Sequence, residues 1–144
     1  MERKKTLFSI CRDNGINLAY LFGSKAREGQ KILEGEIILS SDPLADLDLG
    51  IVFNFSLPPP GEIPGLYVKL YNLLSDLFLP LPLDLVFLQE QHSVFQANAL
   101  SGICIYAADD RWKGSYEENI MRRAADFKPF LERYLDEYLE EVLL

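Results

Sequence analysis

The chain has 144 residues, 49% hydrophobic and 12% aromatic, which is enough to bury a core and excludes a disordered tail. We expect a single domain over residues 1–144. The formal net charge of −8 argues against direct nucleic-acid binding, which depends on Lys and Arg contacts to phosphates. No apolar run approaches the ~20 residues of a membrane span and no secretory signal is recognisable, so we expect a cytoplasmic protein with reduced Cys11 and Cys104.

The first elements predicted along the chain are a helix, a strand and a glycine–serine turn. Residues 3–14 predict a helix that ends at Asn14-Gly15, and residues 17–22 predict a strand that leads into Gly23-Ser24. Glycine permits a tight turn and a close approach of the backbone to a ligand. Ser24 is expected to cap a short helix from Lys25 to Glu28, so that backbone N–H groups and a hydroxyl face a phosphate.

Two further strands carry isolated acidic residues. Residues 46–55 predict a central strand in which Asp46 and Asp48 point to the same face, because side chains alternate along a strand. Residues 82–88 predict a strand that carries Asp84. If these strands pair, three carboxylates meet at one sheet edge and provide oxygen ligands for Mg2+. Two Mg2+ ions roughly 3.5 to 4 Å apart would suit phosphoryl or nucleotidyl transfer. Asp42 precedes Pro43 and is interpreted as a turn residue.

The second half of the chain predicts three helices and one strand. Apolar spacing indicates helices over 65–77 and 92–100, and a strand over 102–107. A C-terminal helical segment, residues 115–144, is expected to begin at a capping box formed by Ser115 and Glu118 and to be kinked or broken at Pro129. The alternation predicts an α/β (α+β) fold, with a mixed sheet flanked by helices and followed by a C-terminal helix.

Several aromatic and apolar residues allow two interpretations. Trp112 and Tyr116 either pack in the core or stack on a base. His92, the only histidine, either occupies an exposed helix start or takes part in catalysis. The C-terminal segment has a broad apolar face that either docks on its own domain or binds a partner or a second copy. That face consists of Phe127, Phe130, Leu131, Tyr134, Leu135, Tyr138, Leu139 and Val142.

These motifs resemble the nucleotidyltransferase superfamily of DNA polymerase β, and within it the minimal nucleotidyltransferases (MNT). The segment Gly23-Ser24-Lys25-Ala26-Arg27 is similar to the family's Gly-Ser-x-Ala-Arg, and Asp46-Leu47-Asp48-Leu49 is similar to its Asp-x-Asp-Leu, with Asp84 as the third acid. The resemblance implies a polymerase β-like fold and ATP as substrate. It also implies that Asp46, Asp48 and Asp84 bind two Mg2+ ions while Gly23 and Ser24 hold the β- and γ-phosphates. Arg27 either reaches a phosphate or is a solvated helix residue.

The resemblance also implies a partner. Many minimal members are the antitoxins of HEPN/MNT toxin–antitoxin pairs and transfer AMP to a tyrosine of a HEPN toxin. AMP transfer to a HEPN-type toxin is therefore the expected function. Transfer to a small molecule and a binding-only antitoxin remain as alternatives, and a homo-oligomer is also compatible with the sequence.

One departure from the family pattern concerns the distance between the motifs. Ser24 and Asp46 are separated by 21 residues, a markedly longer connection than in compact members. The extra segment, residues 31–43, has an apolar β-branched core over 31–40 that predicts an additional strand or hairpin. It either covers the nucleotide or contacts the acceptor, or it is a surface hairpin.

Overall fold

A computed structural model of the chain describes residues 2–38 and 45–143, which form five α-helices and four strands. In chain order these are α1 (Glu2–Asp13), β1 (Ile16–Phe22), α2 (Ala26–Leu33), β2 (Leu47–Phe53), α3 (Ile63–Ser75), β3 (Leu83–Phe87), α4 (Ser93–Leu100), β4 (Ile103–Ala107) and α5 (Asp110–Leu143).

The four strands form one mixed sheet in the order β3-β2-β1-β4. β1 pairs antiparallel with both β2 and β4, whereas β2 and β3 are parallel. Parallel pairing needs a crossover connection, and α3 provides it between β2 and β3. The predicted α/β fold with a mixed sheet and a C-terminal helix is confirmed.

The sheet separates two apolar clusters, one on each face. On β1, Ala19 and Leu21 belong to the larger cluster, which includes buried residues of α1, α2 and α3. Leu18, Tyr20 and Phe22 belong to the smaller cluster, together with residues of α4 and α5. Successive side chains of β1 thus point to opposite faces of the sheet, as in any strand. We call the two faces the α1/α2/α3 face and the α4/α5 face, after the helices that cover them.

The predicted strand or hairpin at residues 31–40 is wrong over its described part. Residues 31–33 form the last turn of α2, and residues 34–38 are a turn and irregular chain. Helical residues spaced by about three positions are buried here, namely Ala26, Gly29, Ile32 and Leu33. A β-branched residue in a short apolar run therefore belonged to a helix face rather than to a strand. Residues 39–44, which include Asp42, lie outside the described part, so the predictions made for them are untested.

The predicted start of α5 is also wrong, as is a break at Pro129. The helix begins at Asp110 rather than at Ser115, because the Asp109 carboxylate accepts hydrogen bonds from the backbone N–H groups of Arg111 (2.7 Å) and Trp112 (3.0 Å). Glu118 is no capping residue and instead pairs with Arg122 at 3.0 Å. The helix also continues through Pro129 without a break. Proline lacks one backbone hydrogen bond, and the rest of a 34-residue helix compensates for that loss.

Candidate active site

Two of the three predicted acids lie side by side on neighbouring strands. The parallel register of β2 and β3 places Asp48 directly opposite Asp84. The pKa of Asp48 is raised from 3.8 to about 6 by burial, by a hydrogen bond and charge repulsion from the Asp84 carboxyl, and by the charge of Asp46. Like charges held this close are costly unless a proton or a cation is shared between them.

Asp46 lies outside the strands that carry the other two acids. It lies one residue before β2 and is exposed, although its charge still acts on Asp48. Among residues 2–38 and 45–143, no three His, Cys, Asp or Glu side chains are grouped tightly enough to form a complete metal cage. Mg2+ usually binds through one or two carboxylates together with water and substrate phosphates, so an incomplete protein cage suits it.

The glycine turn lies directly against these acids. Asp48 on β2 is opposite Phe22, the last residue of β1, so the next residue, Gly23, reaches the acid pair. Gly23 has a φ of 75°, a left-handed conformation that glycine adopts without strain. A Cβ atom at this position would collide with Oδ2 of Asp48. The absence of a side chain at residue 23 therefore lets the Asp48 carboxylate lie directly against the backbone of the turn.

The residues after Gly23 differ from the prediction in one respect. Ser24 does not cap α2: the N-cap residue is Lys25, and its side chain makes no capping hydrogen bond. Ser24 is exposed, and Arg27 is exposed as well, whereas Lys25 is only 8% exposed. The buried cation of this segment is thus Lys25 rather than Arg27, and sequence reasoning missed it because lysine is seldom buried.

Tyr67 of α3 is a second residue that sequence reasoning missed. Its ring stacks on that of Tyr71 with centroids 6.1 Å apart and contacts Phe87 of β3 at 5.6 Å. The pKa of Tyr67 is raised by burial and by the charge of Asp84. Tyr67 therefore packs on the α1/α2/α3 face of the sheet, close enough to β3 for the charge of Asp84 to act on it. The i,i+4 spacing of Tyr67 and Tyr71 was the available signal.

The side chains of Asp48 and Asp84 point to the α4/α5 face of the sheet. Side-chain alternation puts Asp48 on the same face as Val52, and Asp84 on the same face as Val86. Val52 and Val86 both pack in the cluster on the α4/α5 face. Phe22 belongs to that cluster as well, and its ring contacts Phe95 of α4 at 5.9 Å. The acids are thus reached from the side of the sheet that carries α4 and α5.

The other candidates have mainly structural positions. His92 is exposed at the N-cap of α4, where its Nδ1 accepts a hydrogen bond from the backbone N–H of Phe95 at 3.1 Å, as the helix-start interpretation predicted. Trp112 and Tyr116 stack on each other at 5.2 Å and pack against the cluster on the α4/α5 face, which supports the core interpretation. Cys11 and Cys104 are both free thiols.

Only the first half of α5 packs on the sheet. Its buried residues are Ile120 and Ala124. Beyond them Leu131 is half-buried, and eight other large apolar side chains are between 37% and 81% exposed. The interpretation in which the apolar face docks on its own domain therefore holds only at the start of that face, where the ring of Phe127 contacts that of His92 with centroids 5.6 Å apart. We call this set of exposed side chains the apolar stripe. Its members are Phe127, Phe130, Tyr134, Leu135, Tyr138, Leu139, Val142 and Leu143.

Comparison with known protein families shows the family to which the chain belongs. The family described as "Polymerase beta, Nucleotidyltransferase" matches residues 5–111, a range that contains the glycine turn, the three acids and all four strands. The chain therefore belongs to the polymerase β nucleotidyltransferase family. A comparison with curated protein sequences finds no significant match. None of the described helices is long and apolar enough to cross a membrane.

Solved structures share the fold over nearly the whole chain. A chain of the MntA-HepT toxin–antitoxin crystal structure has 16% identity and a TM-score of 0.57, with 99% of this chain and 98% of that one covered. A chain of the structure of a tri-AMPylated Shewanella oneidensis HEPN toxin in complex with an MNT antitoxin has the same identity, TM-score and coverage. A toxin–antitoxin structure with AMP-PNP gives 16% identity and a TM-score of 0.55, with 98% of each chain covered. At such identities the similarity establishes the fold.

Proposed function

We propose that this protein is a Mg2+-dependent nucleotidyltransferase of the MNT type that transfers AMP from ATP to a tyrosine of a HEPN-type toxin and so acts as its antitoxin. The observation that carries the proposal is the contact between the glycine turn and the acid pair. Because Gly23 has no side chain, the backbone of the turn lies directly against the carboxylate of Asp48, which is paired with Asp84 on the neighbouring strand.

The donor set fits magnesium. The three acids supply only carboxylate oxygens, which are the ligands that Mg2+ prefers. Burial, the hydrogen bond with Asp84 and the charges of Asp84 and Asp46 raise the pKa of Asp48, and a bound cation would stabilise its ionised form. We assign Asp46 and Asp48 as ligands of both metal ions. Asp84 is assigned as a ligand of the catalytic metal ion. When bound, the ions would stabilise the negative charge that develops on the attacking and leaving oxygens.

The residues of the chain itself would bind ATP and move a proton. Exposed backbone at Gly23 and the hydroxyl of Ser24 would donate hydrogen bonds to the β- and γ-phosphates, and the exposed side chain of Arg27 would reach the same phosphates. Asp84 is exposed on the edge strand, so it can accept the proton of the acceptor hydroxyl. The acceptor oxygen then bonds to the α-phosphorus, the bond to pyrophosphate breaks, and pyrophosphate leaves.

A protein acceptor is supported by three observations. Structures of the same fold include a tri-AMPylated HEPN toxin bound to an MNT antitoxin and a toxin–antitoxin with AMP-PNP. The chain presents a long apolar stripe whose side chains are between 37% and 81% exposed. Its net charge of −8 suits a basic, RNA-cutting partner. The same charge makes a nucleic-acid acceptor a poor fit.

The acceptor class is tested by pyrophosphate release from ATP and Mg2+ in the presence of three acceptors in turn: a HEPN-type protein encoded beside this gene, an aminoglycoside and total RNA. We expect release with the HEPN-type protein alone. Release with the aminoglycoside would favour the small-molecule alternative. Stable binding of the HEPN-type protein without any release would favour a binding-only antitoxin.

A further inference from the structure

We infer that the apolar stripe is the docking site for an amphipathic helix of the acceptor protein whose apolar face is flanked by Lys and Arg. This inference rests on the proposed function, because it assigns the surface through which the acceptor reaches the acids. The apolar stripe lies beyond residue 111, where the match to the nucleotidyltransferase family ends.

The first observation is the size of the exposed surface. Eight large apolar or aromatic side chains within residues 127–143 of α5 are at least 37% exposed, and Phe130, Tyr134, Val142 and Leu143 are more than 60% exposed. Spacings of three and four residues align Phe127, Phe130, Tyr134 and Tyr138 along a helix segment about 25 Å long, and the remaining four side chains widen this surface. Contiguous apolar patches of this kind mark interaction surfaces on soluble proteins. Tyrosine and phenylalanine are also enriched in interface cores.

The second observation is the charge around the apolar stripe, which decides between occupants. Residues 126–143 contain six acidic and only two basic side chains. A second copy of α5 packed on the apolar stripe would bring two acidic helices together, and like charges across an interface oppose association. A helix with basic flanks would instead meet complementary charge on both sides. The occupant that fits is therefore a basic amphipathic helix, bound in the helix-against-groove mode.

The third observation is a cleft at the base of the apolar stripe. It has a volume of about 480 Å3 and lies between the start of α4 and the middle of α5. Its floor includes Phe127 and Phe130, the first two residues of the apolar stripe. The cleft is large enough to receive an apolar side chain of the bound helix, and buried anchors of this kind supply most of the binding energy in protein interfaces.

The fourth observation connects the apolar stripe to the acids. A chain of ring contacts runs from Phe22, next to Gly23, through Phe95 and His92 to Phe127, in steps of 5.9, 6.5 and 5.6 Å. Asp48 and Asp84 point to this same α4/α5 face. A protein docked on the apolar stripe therefore lies on the side of the sheet from which the acids are reached.

The test compares two charge-introducing variants of α5 that are matched in exposure. Leu135→Glu lies within the apolar stripe, and Arg133→Glu lies on the opposite side of the helix, with both side chains exposed. The probe is a purified HEPN-type toxin. Its affinity is measured by calorimetry, and AMP transfer to it is measured with ATP and Mg2+. Leu135→Glu should weaken binding at least 50-fold, whereas Arg133→Glu should change it less than threefold.

The outcomes separate this inference from the proposed function. Both variants should bind ATP as the wild type does, since residue 135 lies outside the nucleotidyltransferase part. Loss of binding in Leu135→Glu alone supports the docking site, even if no AMP is transferred, a result that would contradict only the proposed function. Wild-type binding by Leu135→Glu overturns the docking site, whether or not transfer occurs. A wild-type dimer that Leu135→Glu converts to a monomer also overturns it, in favour of a second copy.

Discussion

Asp48 is the residue at which folding and the proposed chemistry conflict most directly. Burial, the Asp84 carboxyl and the charge of Asp46 raise its pKa from 3.8 to about 6. In the unfolded chain Asp48 ionises near its ordinary pKa. Above pH 6 the folded protein therefore carries an unfavourable charge, and the associated loss of stability disappears as the pH falls toward 4.

We predict that Asp48→Asn abolishes nucleotide transfer and leaves the metal-free protein folded and slightly more stable at pH 7.5. The gain should be on the order of 1 kcal/mol, a few degrees in Tm, because part of the repulsion is screened by solvent. The gain should shrink as the pH is lowered from 7.5 to 5. Thermal melting over this pH range is the measurement, with Asp136→Asn on the exposed part of α5 as the matched control. Transfer at the wild-type rate by Asp48→Asn would refute the assignment of the site.

The glycine turn gives a second prediction for single residues. Gly23→Val should weaken ATP binding far more than Ser24→Ala, because a side chain at residue 23 opposes the positive φ and collides with Asp48. Loss of the Ser24 hydroxyl removes one hydrogen bond, worth roughly 0.5 to 1.5 kcal/mol. Calorimetry with ATP and Mg2+ measures both. Gly114→Val is the control, since a Cβ at Gly114 meets nothing within 4 Å. Equal ATP affinity in Gly23→Val and the wild type would place the phosphates elsewhere.

The sequence predicts individual residues well where local periodicity decides their position. The convergence of Asp48 and Asp84 follows from two short apolar strands and the alternation of side chains. The approach of Tyr67 to Asp84 does not follow in this way, because it depends on how α3 packs across β3. The burial of Lys25 depends likewise on the way α2 leaves the glycine turn, which no local pattern encodes.

At the scale of elements, α5 combines two structurally different halves. Its first half packs on the sheet through Ile120 and Ala124, and its second half carries the apolar stripe. Pro129 lies at the start of the second half and cannot donate the backbone hydrogen bond to the carbonyl of residue 125. The helix is therefore expected to be weakest near this point.

We predict that Pro129→Ala strengthens the second half of α5, since proline costs roughly 3 kcal/mol relative to alanine inside a helix. Helicity should rise and amide hydrogen exchange over residues 126–135 should slow, with ATP affinity unchanged. Hydrogen exchange followed by mass spectrometry is the measurement, and the neighbouring substitution Lys128→Ala is the control. Unchanged exchange in Pro129→Ala would mean that the helix already tolerates the missing hydrogen bond without local weakening.

Elements were predicted correctly where their period was clear and were missed where an apolar run was short. All four strands lie within two residues of their predicted bounds. The run at residues 31–33 was assigned to a strand because of its β-branched residue. In the structure it completes α2, where Gly29 fits closely against Leu47. A period of three and a period of two cannot be distinguished over so few residues.

At the scale of the whole molecule, the apolar stripe and the acid site lie on one side of the sheet. The sequence predicted the apolar stripe but left open whether it packs on its own domain. The position at which α5 leaves the sheet decides whether the apolar stripe packs on its own domain. That position depends on the length of β4 and on the packing of α4 rather than on the composition of α5. A partner bound to the apolar stripe would lie on the side of the sheet to which Asp48 and Asp84 point.

AMP transfer to the partner, with its dependence on Asp48, tests the central claim most directly. The HEPN-type protein encoded beside this gene is incubated with ATP, Mg2+ and either the wild type or Asp48→Asn, and its intact mass is measured. The account predicts that the partner gains one or more AMP units with the wild type and none with Asp48→Asn. An unmodified partner that nevertheless co-purifies with the wild type in the presence of ATP and Mg2+ would contradict the account.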